Sequence, residues 1–291
     1  MRAFDFWIMI LCCACWGGNF VMTAWALGGS SVPPFMLAAT RAALVLVLVG
    51  FFLFRPLPTH FLKLLFVAFC VGPVHLGLLY TGLQTASASG ASILSQALIP
   101  IATLLSVVWL KEHIGWRRSL AIAGALVGVV IMIYEPGALS FDPGLIYVLG
   151  AYVSMAVGTV VIRRIPDVDW RVYVAWTAVL VLVFGSAISF FFEGNHAEIW
   201  RVDKRALLIA AAYSAVAVSV IAHGQYFRLL QNYPVDRVVP LSILVTVFAT
   251  VFGILILKET LYLRYIIGAA LILPCVWIIA RRGTPAPAEM D

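Results

Sequence analysis

Three ionisable side chains lie deep inside long apolar segments of this sequence: His75, His223 and Arg41. A charged group at the centre of a membrane helix costs roughly 2.5 to 3.5 kcal/mol on insertion scales, so each is a candidate for function. Histidine titrates close to neutral pH and can bind a solute or carry a proton. Each histidine can equally be a structural residue bonded to a helix carbonyl, and Arg41 can hold a carboxylate or extend to the headgroups.

Aromatic and hydrogen-bonding side chains share helix faces with these candidates. Trp16, Asn19 and Phe20 lie on one face of the first apolar segment, and such mixed faces suit a solute with polar and apolar parts. The alternative is that polar side chains such as Gln96 join neighbouring helices. The predicted substrate-binding residues are Trp16, Asn19, Phe20, Arg41, Tyr80, Gln96, His223 and Phe227.

The elements that must position these residues are apolar helices. Hydrophobic residues make up 63% of the 291-residue chain and charged residues only 11%, which excludes a water-soluble fold because soluble domains carry roughly 25% charged residues. Apolar runs of about twenty residues, enough to cross a bilayer, predict an all-α membrane protein with ten transmembrane helices. The predicted spans are residues 6–27, 34–54, 61–83, 88–110, 117–134, 144–163, 172–192, 206–229, 235–257 and 262–280.

Lysine and arginine residues near the span ends predict the orientation. Thirteen fall on the side that holds the N-terminus and five on the other side, and basic residues are concentrated in cytoplasmic loops. We therefore expect a multi-pass protein of the cell inner membrane with both termini in the cytoplasm. Residues 283–291 are expected to form a disordered cytoplasmic tail.

The chain contains an internal repeat. A shift of 147 positions aligns residues 77–129 with residues 224–276 without a gap, and fourteen of the 53 pairs are identical. The matches include the string LKE, at residues 110–112 and 257–259, which we expect to be helix-end structure. The prediction is two five-helix repeats, residues 1–140 and 141–282. Because five is odd, the second repeat crosses the membrane in the opposite sense, as in transporters that open alternately to opposite sides.

Four stretches of the sequence resemble the EamA-type drug/metabolite transporters. They are WGGNF at residues 16–20, PPFMLAATRAAL at 33–44, and the two longer stretches that end in LKE, at 78–112 and 226–259. Within that superfamily the chain is most similar to bacterial aromatic amino-acid exporters of the YddG type. The resemblance implies a secondary transporter that exports small metabolites, most of all amino acids including aromatic ones, by alternating access.

Two other functions are weighed against amino-acid export. Another metabolite of the same superfamily, a drug or a nucleotide sugar, is one alternative, but sugar-nucleotide phosphates need several basic residues and the spans offer only Arg41. No Asp or Glu lies well inside a span, which argues against proton-coupled efflux of cationic drugs and leaves passage down the solute gradient or proton coupling through histidine. The more distant alternative, an intramembrane enzyme, would need an acid pair, a serine with a base, or a metal.

The sequence predicts neither catalytic residues nor a metal site, and no cofactor. All five cysteines fall inside predicted spans. The neighbours Cys12 and Cys13 point to different helix faces, which argues against a metal cluster and indicates thiols that pack against other side chains. The phosphate-binding pattern GxxxxGK[ST] is missing from the sequence, which excludes a nucleotide-hydrolysing pump on this chain. The expected partners are a small-molecule substrate and the lipid bilayer, without nucleic acid, and the expected state is a monomer.

Overall fold

The fold is helical almost throughout. A computed structural model describes residues 2–28, 32–56, 59–111, 114–135, 140–165, 169–193, 202–233 and 238–281. Within them nine helices are long and apolar enough to cross a membrane, and residues Leu241–Leu257 form a shorter apolar helix. The prediction of an all-helical membrane protein is confirmed, and the ninth predicted span is the shorter helix. The tail predicted over residues 283–291 lies outside the described residues.

The helices divide evenly between two halves of the chain. The first half contains α1 (Ala3–Gly28), α2 (Pro34–Val49, continued by 3-10 turns over Gly50–Phe54), α3 (Phe61–Phe69, Cys70–Val74 and His75–Gly82), α4 (Ala88–Ser95 and Leu98–Leu110) and α5 (Trp116–Ile133). The second half contains α6 (Pro143–Ile162), α7 (Trp170–Phe192), α8 (Lys204–Tyr213, Ser214–Ala222 and His223–Asn232), α9 (3-10 turns over Val239–Ile243, then Leu244–Leu257) and α10 (Leu263–Arg281). A two-residue antiparallel ladder, β1 (Tyr134–Glu135) with β2 (Ser140–Phe141), joins the halves.

Short polar side chains set the starts of several helices. The Asp142 carboxylate accepts a hydrogen bond from the Leu145 N–H at 3.1 Å at the start of α6, and Asp203 does the same for Ala206 at 3.1 Å in α8. Each cap satisfies an N–H group that has no partner within its helix, and is worth about 1 kcal/mol. The caps therefore place the loop-to-helix boundaries where the apolar runs begin.

The two LKE strings end α4 and α9 in the same way. Lys111 and Lys258 have φ angles of 54° and 58°, the only left-handed backbone conformations among the described residues. The Lys111 N–H donates to the carbonyl of Ser106, and the Lys258 N–H donates to the carbonyl of Gly253. Ser106 and Gly253 are themselves 147 residues apart, so the internal repeat extends to the hydrogen bonds that close the two helices.

The helices α3 and α8 are both widened in the middle. Residues Cys70–Val74 of α3 and Ser214–Ala222 of α8 form π-helical turns, and the shift of 147 places the first segment inside the second. His75 follows one of these turns directly and His223 follows the other. Widened turns of this kind are frequent at functional sites. Here they occur at corresponding positions of the two halves.

Helices of one half pack against those of the other. The repeat partners α2 and α7, α4 and α9, and α5 and α10 contact each other, and α1 lies between α8 and α9. The approach of α1 to α9 depends on Gly17, where a Cβ atom would lie 2.8 Å from the backbone nitrogen of Ala249. The close approach fixes α1, and with it Trp16, against the second half.

Polar contacts between the halves occur at both ends of the bundle. At one end, which we name the Asp5 end, Arg228 of α8 pairs with Asp5 of α1 at 2.7 Å, and Arg55 pairs with Asp169 at 2.6 Å. At the opposite end, the Glu259 end, the carboxylate of Glu259 after α9 accepts hydrogen bonds at the start of α4. Each end therefore has polar contacts that hold the two halves together.

Candidate substrate site

Two sets of side-chain contacts, which lie one turn apart on α8, join four helices in the middle of the bundle. Arg41 of α2 donates hydrogen bonds to the hydroxyl of Tyr80 on α3 at 3.3 Å and to the hydroxyl of Ser219 on α8 at 3.4 Å. One turn after Ser219, the His223 ring lies edge-on to Trp16 of α1, with centroids 5.5 Å apart. We name these five residues the central cluster, and it draws on both halves of the chain.

A further aromatic residue, which is not among the predicted ligands, lies against the central cluster. Tyr226 lies edge-on to Trp16, with ring centroids 5.1 Å apart, so Trp16 contacts two rings of α8. Trp16, His223 and Tyr226 are all partly exposed although they lie in apolar helices. The spacing of three residues from His223 places Tyr226 on the same helix face, a signal that could have identified it.

The polar side of α1 lies next to the aromatic residues. Asn19, one turn beyond Trp16, accepts a hydrogen bond from the hydroxyl of Ser214 on α8. Thr23, one turn further, is 1% exposed, and its hydroxyl has no hydrogen-bond partner among the described residues. A buried unpaired hydroxyl costs about 1 to 3 kcal/mol, so the Thr23 hydroxyl retains unused hydrogen-bonding capacity one turn from Asn19.

Three of the predicted ligands are buried. Tyr80 is fully buried, although its hydroxyl reaches Arg41. Phe20 belongs to the apolar core, and the Gln96 side-chain amide donates to the hydroxyl of Thr246 at 3.2 Å across the contact between α4 and α9. The structure therefore gives Phe20 and Gln96 a packing role, and substrate contact by either residue stays a prediction. Phe227 lies outside the part of the chain whose side chains are described.

The two histidines have different surroundings. His75 donates from Nδ1 to the carbonyl of Ala151 on α6 at 2.9 Å and lies edge-on to the Tyr152 ring at 5.1 Å. His223 donates from Nδ1 to the Val218 carbonyl of its own helix at 2.8 Å. In each ring Nδ1 is the donor, because a carbonyl oxygen can only accept, and this leaves Nε2 for another partner. Of the two histidines, His223 is the member of the central cluster.

The charge of Arg41 is not matched by an acid in the part of the chain that the structure describes. The ion pairs that these residues form with one another are Arg55 with Asp169, Arg228 with Asp5, and Arg264 with Asp142. All three lie at helix ends. Among the same residues no group of three or more His, Cys, Asp or Glu side chains is placed to hold a metal ion.

A cavity of about 480 Å³ opens at the Glu259 end. Pro34 lines it at the start of α2, and Arg41 follows seven residues later, on the same side of the helix and about 10 Å deeper. The cavity therefore lies above the central cluster along α2. Its walls are mostly apolar and consist of Leu27, Val32, Pro33, Pro34, Phe35, Thr81, Gln84, Ile188, Phe192 and Glu193.

The sequence is similar to known proteins over nearly the whole chain. The model of the EamA-like transporter family matches twice, at residues 4–134 and 142–281. A probable amino-acid metabolite efflux pump of Escherichia coli (strain K12) is 27% identical over 282 residues, covering 93% of each chain. A WAT1-related chloroplastic protein of Arabidopsis thaliana is 28% identical over 267 residues, covering 84% of this chain and 62% of its own length.

One solved crystal structure has the same fold. It superposes with a TM-score of 0.63 at 19% sequence identity, and the match covers 97% of this chain and 99% of the other. At that identity the likeness concerns the fold alone. It supports the arrangement of helices on which the central cluster depends.

Proposed function

The chain belongs to the EamA-like transporter family, and from this membership and the geometry of the central cluster we propose that it is a secondary transporter that exports small metabolites by alternating access. Amino acids, including aromatic ones, are the proposed substrates. The names of the relatives, probable amino-acid metabolite efflux pumps among them, point to a transporter and not to an enzyme. We further propose that it acts as a monomer in the cell inner membrane.

The observation that carries the proposal is the composition of the central cluster and of the residues beside it. A cation, Arg41, two aromatic rings, Trp16 and Tyr226, and the amide of Asn19 lie on neighbouring helices of both halves. A zwitterionic solute with an apolar side chain needs such groups, because rings enclose the hydrocarbon while a few polar groups orient it. A nucleotide sugar fits less well, since Arg41 is the only cation in the cluster.

The arrangement of the halves supports alternating access. Transporters built from inverted repeats hold the solute between two halves that rock about it. The central cluster lies between such halves, while Asp5 and Glu259 close opposite ends of the bundle. We propose that these two closures open in turn, with the Glu259 end facing the periplasm.

Topology tests the proposed orientation. We expect reporter fusions to place both termini and the loop at Lys111 in the cytoplasm, and the loop at Lys258 in the periplasm, because positive charge predominates on the first side. Alkaline phosphatase and green fluorescent protein fusions after each position measure this. If Lys111 and Lys258 were found on the same side, the halves would not be inverted.

Counterflow in proteoliposomes tests the function itself. Vesicles that contain the purified protein and are loaded with one unlabelled amino acid are mixed with a trace of the labelled form, across a panel of aromatic and aliphatic amino acids. We expect label to accumulate transiently above equilibrium, because efflux of the unlabelled solute drives uptake of the label through a carrier that alternates between two states. Exchange of other metabolites but of no amino acid would contradict the proposed substrate class.

A further inference from the structure

We propose that Arg41 recognises a carboxylate of the solute, so that the transporter selects substrates with a free carboxylate and discriminates against their amides and amines. This inference rests on the proposed function and concerns the same site. It makes Arg41 the residue that determines specificity at the central cluster. The aromatic residues of the cluster would then contact the rest of the solute.

Arg41 carries a positive charge that its neighbours do not balance. A guanidinium stays protonated at any physiological pH, and ionisable groups within membrane helices are almost always paired. The hydrogen-bond partners of Arg41 are the neutral hydroxyls of Tyr80 and Ser219. Neither compensates a full positive charge, and no ion pair of the described residues includes Arg41. An anionic group supplied by the solute would remove this imbalance.

The two hydrogen bonds that Arg41 donates are longer than its bonds to a carboxylate would be. A charge-assisted bond from a guanidinium to a carboxylate is typically about 2.7 to 2.9 Å long, whereas the bonds to Tyr80 and Ser219 measure 3.3 and 3.4 Å. They occupy two of the five N–H donors of Arg41 and are long. Within the described part of the chain the remaining donors have no partner, and they can make the two parallel bonds that a carboxylate forms with arginine.

The groups around Arg41 hold its guanidinium in one orientation. Tyr80 is fully buried, and Ser219 is 9% exposed. The Ser219 hydroxyl donates to the carbonyl of Ser214 at 3.2 Å, so only its lone pairs face Arg41. The π-helical turns of α8 place Ser214 and Ser219, five residues apart, on one line. The guanidinium is therefore held in position by acceptors from both halves, as a specific binding group requires.

Arg41 lies between the aromatic residues of the site and the cavity at the Glu259 end. His223 follows Ser219 by one turn and contacts Trp16, which contacts Tyr226. A solute whose carboxylate binds Arg41 can thus direct its side chain toward these rings. Arg41 also lies below Pro34, which lines the cavity at the Glu259 end. A solute leaving toward that cavity would pass along α2.

The test compares an amino acid with two analogues that lack the carboxylate charge. The probes are labelled L-phenylalanine, L-phenylalaninamide and 2-phenylethylamine, with L-leucine and L-leucinamide as an aliphatic set. Counterflow in proteoliposomes is measured for the unaltered protein, for Arg41→Gln and Arg41→Lys, and for the control Arg117→Gln, whose side chain is exposed at the start of α5. Size-exclusion chromatography and thermal unfolding establish that each variant is folded.

In the unaltered protein we expect each amino acid to be carried at least tenfold better than its amide or amine. Arg41→Gln should lower amino-acid counterflow at least tenfold and remove the preference for acid over amide. Arg41→Lys should keep part of the preference, because a lysine retains the charge but not the paired geometry. Arg117→Gln should behave as the unaltered protein does.

The contradicting outcomes are distinct. If acid and amide were carried equally well, the carboxylate inference would fail while the transport function stood. If neither set were carried, the amino-acid function would fail, and this inference with it. If Arg41→Gln did not fold, Arg41→Lys would test the assignment, and a preference for acid over amide as large as that of the unaltered protein would contradict it.

Discussion

Replacement of Trp16 by alanine is expected to reduce amino-acid counterflow about thirtyfold while the protein remains folded and inserted. The Trp16 ring contacts the rings of His223 and Tyr226, with centroids 5.5 and 5.1 Å apart. Alanine therefore removes the aromatic side chain by which the first half packs against these two rings of the second half. Burial of an aromatic ring and its edge-on contacts together contribute about 2 kcal/mol to solute binding, and 1.4 kcal/mol corresponds to about tenfold in affinity.

The matched control for Trp16 is another tryptophan of the same helix. Trp7 is 66% exposed, two and a half turns before Trp16, and its side chain makes no contact with the central cluster. Trp7→Ala should therefore change counterflow less than twofold. Equal counterflow in Trp16→Ala and in the unaltered protein, at matched amounts in the vesicles, would mean that the solute does not bind against the Trp16 ring.

The sequence predicts the elements of this fold well because their signals are local. Apolar runs of spanning length predict the helices, and the ungapped shift of 147 predicts that the halves correspond. That correspondence holds for features that propensity alone does not indicate, such as the left-handed Lys111 and Lys258. Regular spacing also suffices to place Trp16 and Asn19 on one face of α1, because α1 is a single α-helix over Ala3–Gly28.

Regular spacing is a poorer guide to α8. An α-helical period pairs residues three or four apart, but the hydrogen bonds of a π-helical turn join residues five apart. Ser219 lies within the π-helical segment Ser214–Ala222, so the α-helical period does not give the face on which it meets Arg41. The sequence contains no sharp signal for such turns in α8.

The role of Gln96 could not be predicted for a different reason. Periodicity gives the face of a helix on which a residue lies, but it does not give the neighbour that this face meets. Gln96 lies on a polar face of α4, and this face packs against Thr246 of α9. The contact depends on how the two halves dock, and docking is a property of the whole bundle. The same limit applies to His75, whose partner Ala151 lies on α6.

A second large effect is expected at the Glu259 end of the bundle, where α9 closes against α4. The Glu259 carboxylate accepts hydrogen bonds from the Ala88 N–H at 2.6 Å and from the Ser89 N–H at 3.0 Å. It also accepts one from the Ser89 hydroxyl at 2.5 Å. A carboxylate at the start of a helix compensates both the free N–H groups and the helix dipole. Gly253 makes room for this carboxylate, since a Cβ there would lie 2.5 Å from Glu259 Oε2.

Glu259→Gln is expected to open this end of the bundle ten- to a hundredfold more often. The substitution removes the charge and presents an amide that can accept fewer of the three bonds, and hydrogen bonds to a charged group contribute about 1.5 to 3 kcal/mol. The readout is Ser92→Cys, a position that is fully buried in α4 one turn from Ser89. In a background in which the five native cysteines are replaced, we measure its rate of labelling by a membrane-impermeant maleimide.

Glu193→Gln is the matched control for Glu259→Gln, because it removes a carboxylate with the same role. Glu193 accepts hydrogen bonds from the Phe35 and Met36 N–H groups at the start of α2, at 2.6 and 2.9 Å. The helices α2 and α7 are also tied at their other ends by Arg55 and Asp169, so the loss of Glu193 should leave them together. We therefore expect faster labelling of Ser92→Cys with Glu259→Gln and an unchanged rate with Glu193→Gln. Equal labelling rates with glutamate and glutamine at position 259 would mean that the contact between α9 and α4 does not control access from this side.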